Sequence, residues 1–226
     1  MSQTDPYIRI STGWKVGYKK RRLFSEPEPI ELLTVQQDIV LKPGLHLLAA
    51  RNGRGKSTLL RTLAGLQPSL AGDAKAGGRT QYVGEGLRFD AELNASKIFS
   101  AILSPRKRDF ATHLAGELEL ELDKPYGKLS KGNQQKVHIV AAESMAHQSV
   151  GEILLLDEPI SNLDYHVRMR LNAYWKADST PLLRIVCMHE LEWAPEWKSL
   201  LLIAQGGLAQ HFPNQFNLEK LYVQLN

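Results

Sequence analysis

The chain has 226 residues, 43% of them hydrophobic and 23% charged, with a formal charge of +4 and one cysteine. These values fit one globular α/β domain with a full core and exclude a collagen-like, disordered or disulfide-stapled chain. No apolar run approaches the roughly 20 residues needed to cross a bilayer, and the N-terminus lacks the basic flank and apolar core of a secretory signal, so a soluble, cytoplasmic protein is expected.

Residues 7–50 hold short alternating or apolar segments, "YIRI", "TVQQDIVL" and "LHLLAA", broken by "SEPEPIE" and the turn "KPG". They predict an N-terminal antiparallel β subdomain feeding a buried strand at 45–50. The next periodic stretch, "KSTLLRTLAGL", has the apolar spacing of a helix ending near Gly65. Between strand and helix, a surface turn accounts for Gly53 and Gly55 but not for Lys56, Ser57 and Thr58. A phosphate cradle accounts for all five. Glycine lets the backbone approach closely, and a helix N-terminus offers free N–H groups and a positive dipole. The pattern G-x-x-x-x-G-K-[ST] is met except for Ala50 at its first position, which is tolerable where φ is negative. Asn52, Gly53, Arg54, Gly55, Lys56, Ser57 and Thr58 are therefore the expected nucleotide-binding segment, with Lys56 on the β and γ phosphates and Ser57 on Mg²⁺.

"GDAKAGGRT" reads as a turn-rich connection and "TQYVG" as a strand. Residues 92–122 are helical in pattern, with a break at Pro105, and belong to a small helical subdomain at about 86–146. "ILLLD" and "LLRIVCM" read as buried strands, the second holding Cys187. The helix-like "DYHVRMRLNAYWKA" between them implies a parallel sheet. A hairpin, "LLLIAQGGLAQHF", and an amphipathic helix around "FNLEKLYVQL" close the chain. The basic clusters "KKRR" and "PRKR" are either solvated loops or contacts for phosphate, lipid headgroups or nucleic acid.

Two stretches add chemistry. "ILLLDEP" ends an apolar strand in two carboxylates: Asp157 suits Mg²⁺, and Glu158 suits polarising a water that attacks the γ-phosphate. In "GKLSKGNQQKV", Ser130 is a helix N-cap, and the hydroxyl with the free N–H groups of that helix start forms a second phosphate site. This stretch resembles the Leu-Ser-Gly-Gly-Gln signature of the ATP-binding cassette (ABC) family, retaining Ser130 and Gly132 and substituting Lys131 and Asn133. "SNLD" at 161–164 resembles the family's D-loop. His189, after the "RIVCM" strand, resembles its switch histidine.

The resemblance spans nearly the whole chain, read as one domain over residues 1–226: an α/β P-loop NTPase core with a parallel sheet, the antiparallel β subdomain and the helical subdomain. It implies an ATPase whose head-to-tail dimer, homomeric or heteromeric, covers ATP on one subunit with Ser130, Gly132 and Asn133 of the other. Lys56, Glu158 and His189 would be catalytic; Ser57, Asp157 and Glu85 would hold Mg²⁺, Glu85 standing where the family has its Q-loop glutamine. Tyr18, or else Trp14 or Phe24, would stack on adenine. Separate transmembrane subunits would dock near the Glu85 loop and residues 92–122, placing the chain on the inner face of the membrane. A cassette ATPase acting on nucleic acid or ribosomes is the alternative, disfavoured by the single cassette and the lack of a coiled-coil insertion; a nucleotide sensor without hydrolysis is a third.

Overall fold

The computed structural model describes residues 5–20, 26–84, 86–188 and 197–213. Glu85, His189, Phe24, Arg21, Arg22 and the expected C-terminal helix lie outside these residues.

Eleven strands and five α-helices are described: β1 Tyr7–Ile10, β2 Lys15–Lys20, β3 Glu28–Val35, β4 Ile39–Leu41, β5 Gly44–Ala50, α1 Lys56–Leu63, β6 Ala74–Gly77, β7 Arg79–Val83, α2 Ala95–Ile102, α3 Pro105–Glu117, α4 Lys131–Ala146, β8 Glu152–Asp157, α5 Tyr165–Ala177, β9 Leu183–Cys187, β10 Ser199–Ala204 and β11 Gly207–His211. The main sheet runs β2-β3-β11-β10-β5-β9-β8-β7, and a second sheet runs β4-β1-β6. From β10 to β7 all neighbours are parallel. The expected parallel core is therefore present.

The N-terminal strands pair antiparallel, as the sequence suggested, and divide between the two sheets. β2 and β3 pair antiparallel and extend the main sheet, while β1 pairs antiparallel with β4 and β6 in the small sheet. The supposed break "SEPEPIE" supplies the first half of β3, and the supposed turn "GDAKAGG" supplies β6.

The core strands are buried on both faces, and the side-chain alternation divides them between two clusters. Leu47, Leu154, Leu156 and Leu202 face the cluster made with α2 to α5. Leu48, Ile153, Leu155 and Leu201 face the cluster made with α1 and the small sheet. Strand ends carrying Ala50, Asp157 and Cys187 thus emerge from a fully packed scaffold.

Two cations of the "PRKR" cluster bind the fold itself. Lys107 of "PRKR" binds the Met145 carbonyl near the end of α4, and Arg108 donates to the Leu103 and Ser100 carbonyls at 2.9 and 2.7 Å at the end of α2. These are cations at helix C-termini, where the dipole favours them. In "KKRR", Lys20 lies opposite Glu28 across the β2/β3 ladder.

Candidate functional site

The loop between β5 and α1 begins at Ala50, which closes β5 in ordinary strand backbone, so its methyl is accommodated where the motif has glycine. Gly53 and Gly55 take φ of 76° and 95°, conformations that side chains resist. Gly55 leads directly into α1 with no side-chain cap, whereas Asn94, Ser130 and Asp164 cap α2, α4 and α5 with their own oxygens. The α1 start therefore keeps its first-turn donors for an external acceptor. Lys56 is buried at 6% exposure, its ammonium donating to the Ala50 carbonyl at 3.1 Å and to the Asn52 side-chain oxygen at 3.4 Å.

Tyr18, Leu32, Asn52, Gly53, Gly55, Lys56, Ser57, Thr58 and Glu158 line one cavity. Tyr18 is 49% exposed there, while Trp14 is packed in the core at 2% and cannot act as a stacking platform. Arg54 belongs to the loop but not to the lining; its N–H is committed to the Arg51 carbonyl at 3.3 Å. A neighbouring cavity is lined by Ser57, Gln135, Asp157, Glu158, Ser161 and Asn162. Ser57 and Glu158 line both, so the phosphate loop and the acidic strand end meet at those two residues.

Asp157 is 6% exposed. Its Oδ2 accepts from the Tyr82 hydroxyl at 3.0 Å, while its buried Oδ1 has no partner. An unpaired buried carboxylate oxygen is costly, which fits a cation or water beside it. No cluster of three or more metal-ligating side chains occurs among the described residues. Mg²⁺ usually takes one or two carboxylates and completes its shell with water and phosphate oxygens. Ser57 and Asp157 are the residues that fit such an ion. Glu158 follows in left-handed backbone at φ 51°, an unfavourable state for a side chain, with its N–H on the Cys187 carbonyl at 3.1 Å. Burial pushes the Cys187 thiol well above its ordinary pKa, leaving an inert neighbour.

Ser130, Gly132 and Asn133 line neither cavity. Ser130 caps α4 by accepting from the Asn133 N–H at 3.2 Å, and the Asn133 amide also reaches Glu121 at 3.0 Å. Gly132 packs on the Asn162 carbonyl. Within one chain this group is therefore separate from the phosphate loop.

Sequence reasoning missed Leu32, Tyr82 and Gln135. Tyr82 takes a hydrogen bond from Arg61 at 3.3 Å, and burial followed by the Asp157 charge pushes its pKa up to about 12, so it is a neutral donor. Its signal was a polar tip in the otherwise apolar end of the "TQYVG" strand. Gln135 was signalled by a polar position on a helix that is buried from Lys136 onward.

The profile of the ABC transporter family matches residues 40–161. An uncharacterized ABC transporter ATP-binding protein of Methanocaldococcus jannaschii is 32% identical over 175 residues, covering 73% of this chain and 65% of its own length. The hemin import ATP-binding protein HmuV of Bordetella parapertussis is 30% identical over 76% of this chain and 77% of itself. Among solved structures, an ATP-binding subunit of an ABC transporter superposes with a TM-score of 0.74 at 21% identity, over 96% of this chain and 98% of the other. An Atm1-family ABC exporter with ATP bound gives 0.76 at 18% identity, over 99% of this chain and 42% of the other.

Proposed function

The chain belongs to the ABC transporter family as an ATP-binding protein, and from that membership we propose that it is an ATPase that dimerises on ATP and powers transport through separate membrane subunits. The observation that carries this reading is the junction at Ser57 and Glu158, which joins a cradle for phosphates to a carboxylate suited to handling water.

Tyr18 stacks on the base, and the backbone from Asn52 to Thr58, including Arg54, wraps the phosphates. The Lys56 ammonium exchanges its loop carbonyl acceptors for β and γ phosphate oxygens, a stronger charge-assisted contact. Ser57 and Asp157 hold Mg²⁺, which when bound offsets the charge on the phosphate oxygens. Glu158 orients a water in line with the γ-phosphate and takes its proton. Glu85 and His189 are assigned by position: Glu85 to the metal side after β7, His189 to the γ-phosphate after β9.

Ser130, Gly132 and Asn133 act on the nucleotide of a second copy or a related subunit. That they line neither of the two cavities at the phosphate loop supports a composite site. No described helix is long and apolar enough to cross a membrane; in this reading, separate membrane subunits supply the transport path and this chain docks on them at the inner membrane face.

The test pairs chemistry with capture. The Glu158→Gln variant is expected to bind Mg-ATP and release phosphate far more slowly than wild type. Tagged protein is expected to bring down an integral membrane protein from detergent-solubilised membranes. Equal phosphate release by the variant would remove Glu158 from its role, and capture of nucleic acid with a steep salt dependence would favour the non-transport reading.

A further inference from the structure

Resting on the assignment of Asp157 to a divalent cation, we propose that Tyr82 is a positioning residue that fixes this carboxylate and ties it to the helix carrying Ser57. Tyr82 lies on β7 level with Leu155 of β8, two residues short of Asp157. Its phenol leans forward along the strand and donates to Asp157 Oδ2 at 3.0 Å. With Oδ2 held, rotation of the carboxylate is restricted and Oδ1, the buried oxygen without a partner, is the one left for a ligand.

Two further observations show that the hydroxyl is placed with care. A β-carbon on Gly84 would lie 2.1 Å from it, so the phenol occupies space that only glycine leaves open at that position. Arg61 Nε donates to the same hydroxyl at 3.3 Å. Ser57 and Arg61 stand four residues apart on α1 and so share one face of the helix. One end of that face presents the Ser57 hydroxyl, and the other grips Tyr82. The relay from Arg61 through Tyr82 to Asp157 therefore keeps the two cation-holding oxygens in register. Removing the hydroxyl leaves Asp157 charged and buried but free to turn.

The test measures binding on the full purified chain rather than turnover. ATP affinity is determined with Mg²⁺ and with EDTA for wild type, Tyr82→Phe and Gly84→Ala. Mn²⁺ bound with ATP is followed in parallel by electron paramagnetic resonance. Tyr82→Phe is expected to keep the affinity in EDTA within about twofold and to lose about tenfold of the gain that Mg²⁺ gives, the scale of a hydrogen bond to a charged group. Gly84→Ala, which displaces the hydroxyl without removing it, is expected to change the Mg²⁺ gain in the same direction. Both variants should show an altered Mn²⁺ spectrum. A Mg²⁺ gain and spectrum identical to wild type in Tyr82→Phe would overturn the proposal. A wild type that binds ATP equally with and without Mg²⁺ would instead overturn the assignment of Asp157 beneath it.

Discussion

A β-carbon on Gly132 would stand 2.6 Å from the carbonyl oxygen of Asn162, so the start of α4 and the loop after β8 touch backbone to backbone. Asn162 in turn lines the cavity of Ser57, Asp157 and Glu158. Gly132 is thus needed within its own subunit, besides any role across a dimer. A methyl there must push the loop aside, because the contact leaves no slack. Gly132→Ala is expected to cut single-turnover hydrolysis by roughly tenfold, since small misplacements of catalytic groups are costly. Its affinity for ATP in a nucleotide titration should stay near wild type, because the cradle lining is untouched. Unchanged hydrolysis would show that loop and helix move independently.

Stability depends on a buried charge group behind the site. Arg184 of β9 meets Glu143 of α4 at 2.7 Å and Asp178 at 2.5 Å, with Arg184 3% and Glu143 0% exposed at the side chain. Trp175 and Tyr174 also donate to Glu143, at 2.8 and 3.2 Å. Arg184→Met strands Glu143 with neutral donors alone and is expected to cost about 3–5 kcal/mol in urea unfolding. Adding Glu143→Leu should recover part of that loss, because the fully buried Glu143 charge is then gone while Asp178, 11% exposed at the side chain, still lacks its Arg184 partner. A single variant as stable as wild type would mean that the neutral donors suffice.

His138 makes stability pH-dependent. It is 5% exposed on α4, stacks on Phe89 with ring centroids 5.0 Å apart, and shares a 2.8 Å hydrogen bond with the Tyr126 hydroxyl. Burial, reinforced by the Arg88 charge, pushes its pKa down to about 4 from 6.5. As pH falls through that window the unfolded chain binds a proton that the native state refuses. The stability contribution is therefore complete above pH 6.5 and is lost toward pH 4. Tm measured across this range should fall more steeply for wild type than for His138→Gln. Parallel curves would place the acid sensitivity elsewhere, for instance at the ion-paired Asp178.

Motif-bearing segments were legible because strand, loop and helix all pointed the same way at 45–65 and 152–164. Elements specified by tertiary context were not. β2, "KVGYKK", has neither alternation nor a long apolar run and becomes a strand by pairing with β3. β6, "AKAG", is poor in β-formers and is recruited by the open edge of β1. The alternation of "ELELEL" looked like more helix, yet α3 ends at Glu117 and Glu119 turns to φ 54°. α4 is buried on nearly every side, so it has no amphipathic period, and the Ser130 cap located it. Tyr82 and Gln135 stayed hidden for a related reason: their chemistry comes from neighbours brought by other elements.

The composite site predicts an asymmetric rescue. Ser130→Arg replaces the α4 cap with a bulky charge outside the chain's own cradle, so its affinity for ATP as a monomer should match wild type. Its hydrolysis should be lost if Ser130 serves the nucleotide of a second copy. Lys56→Ala fails differently: it removes a cation from the cradle itself, weakening ATP binding by about tenfold or more, as expected for a lost charge-assisted contact. Mixing the two proteins separates these lesions. In a head-to-tail mixed dimer, one site combines the damaged cradle with the damaged signature, and the other combines an intact cradle with an intact signature. Phosphate release from the mixture should therefore exceed that of either parent and, where one intact site suffices, approach the fraction set by random pairing. Activity no higher than the sum of the parents, with mixed dimers verified by differential tags, would argue that each chain hydrolyses ATP with its own residues alone.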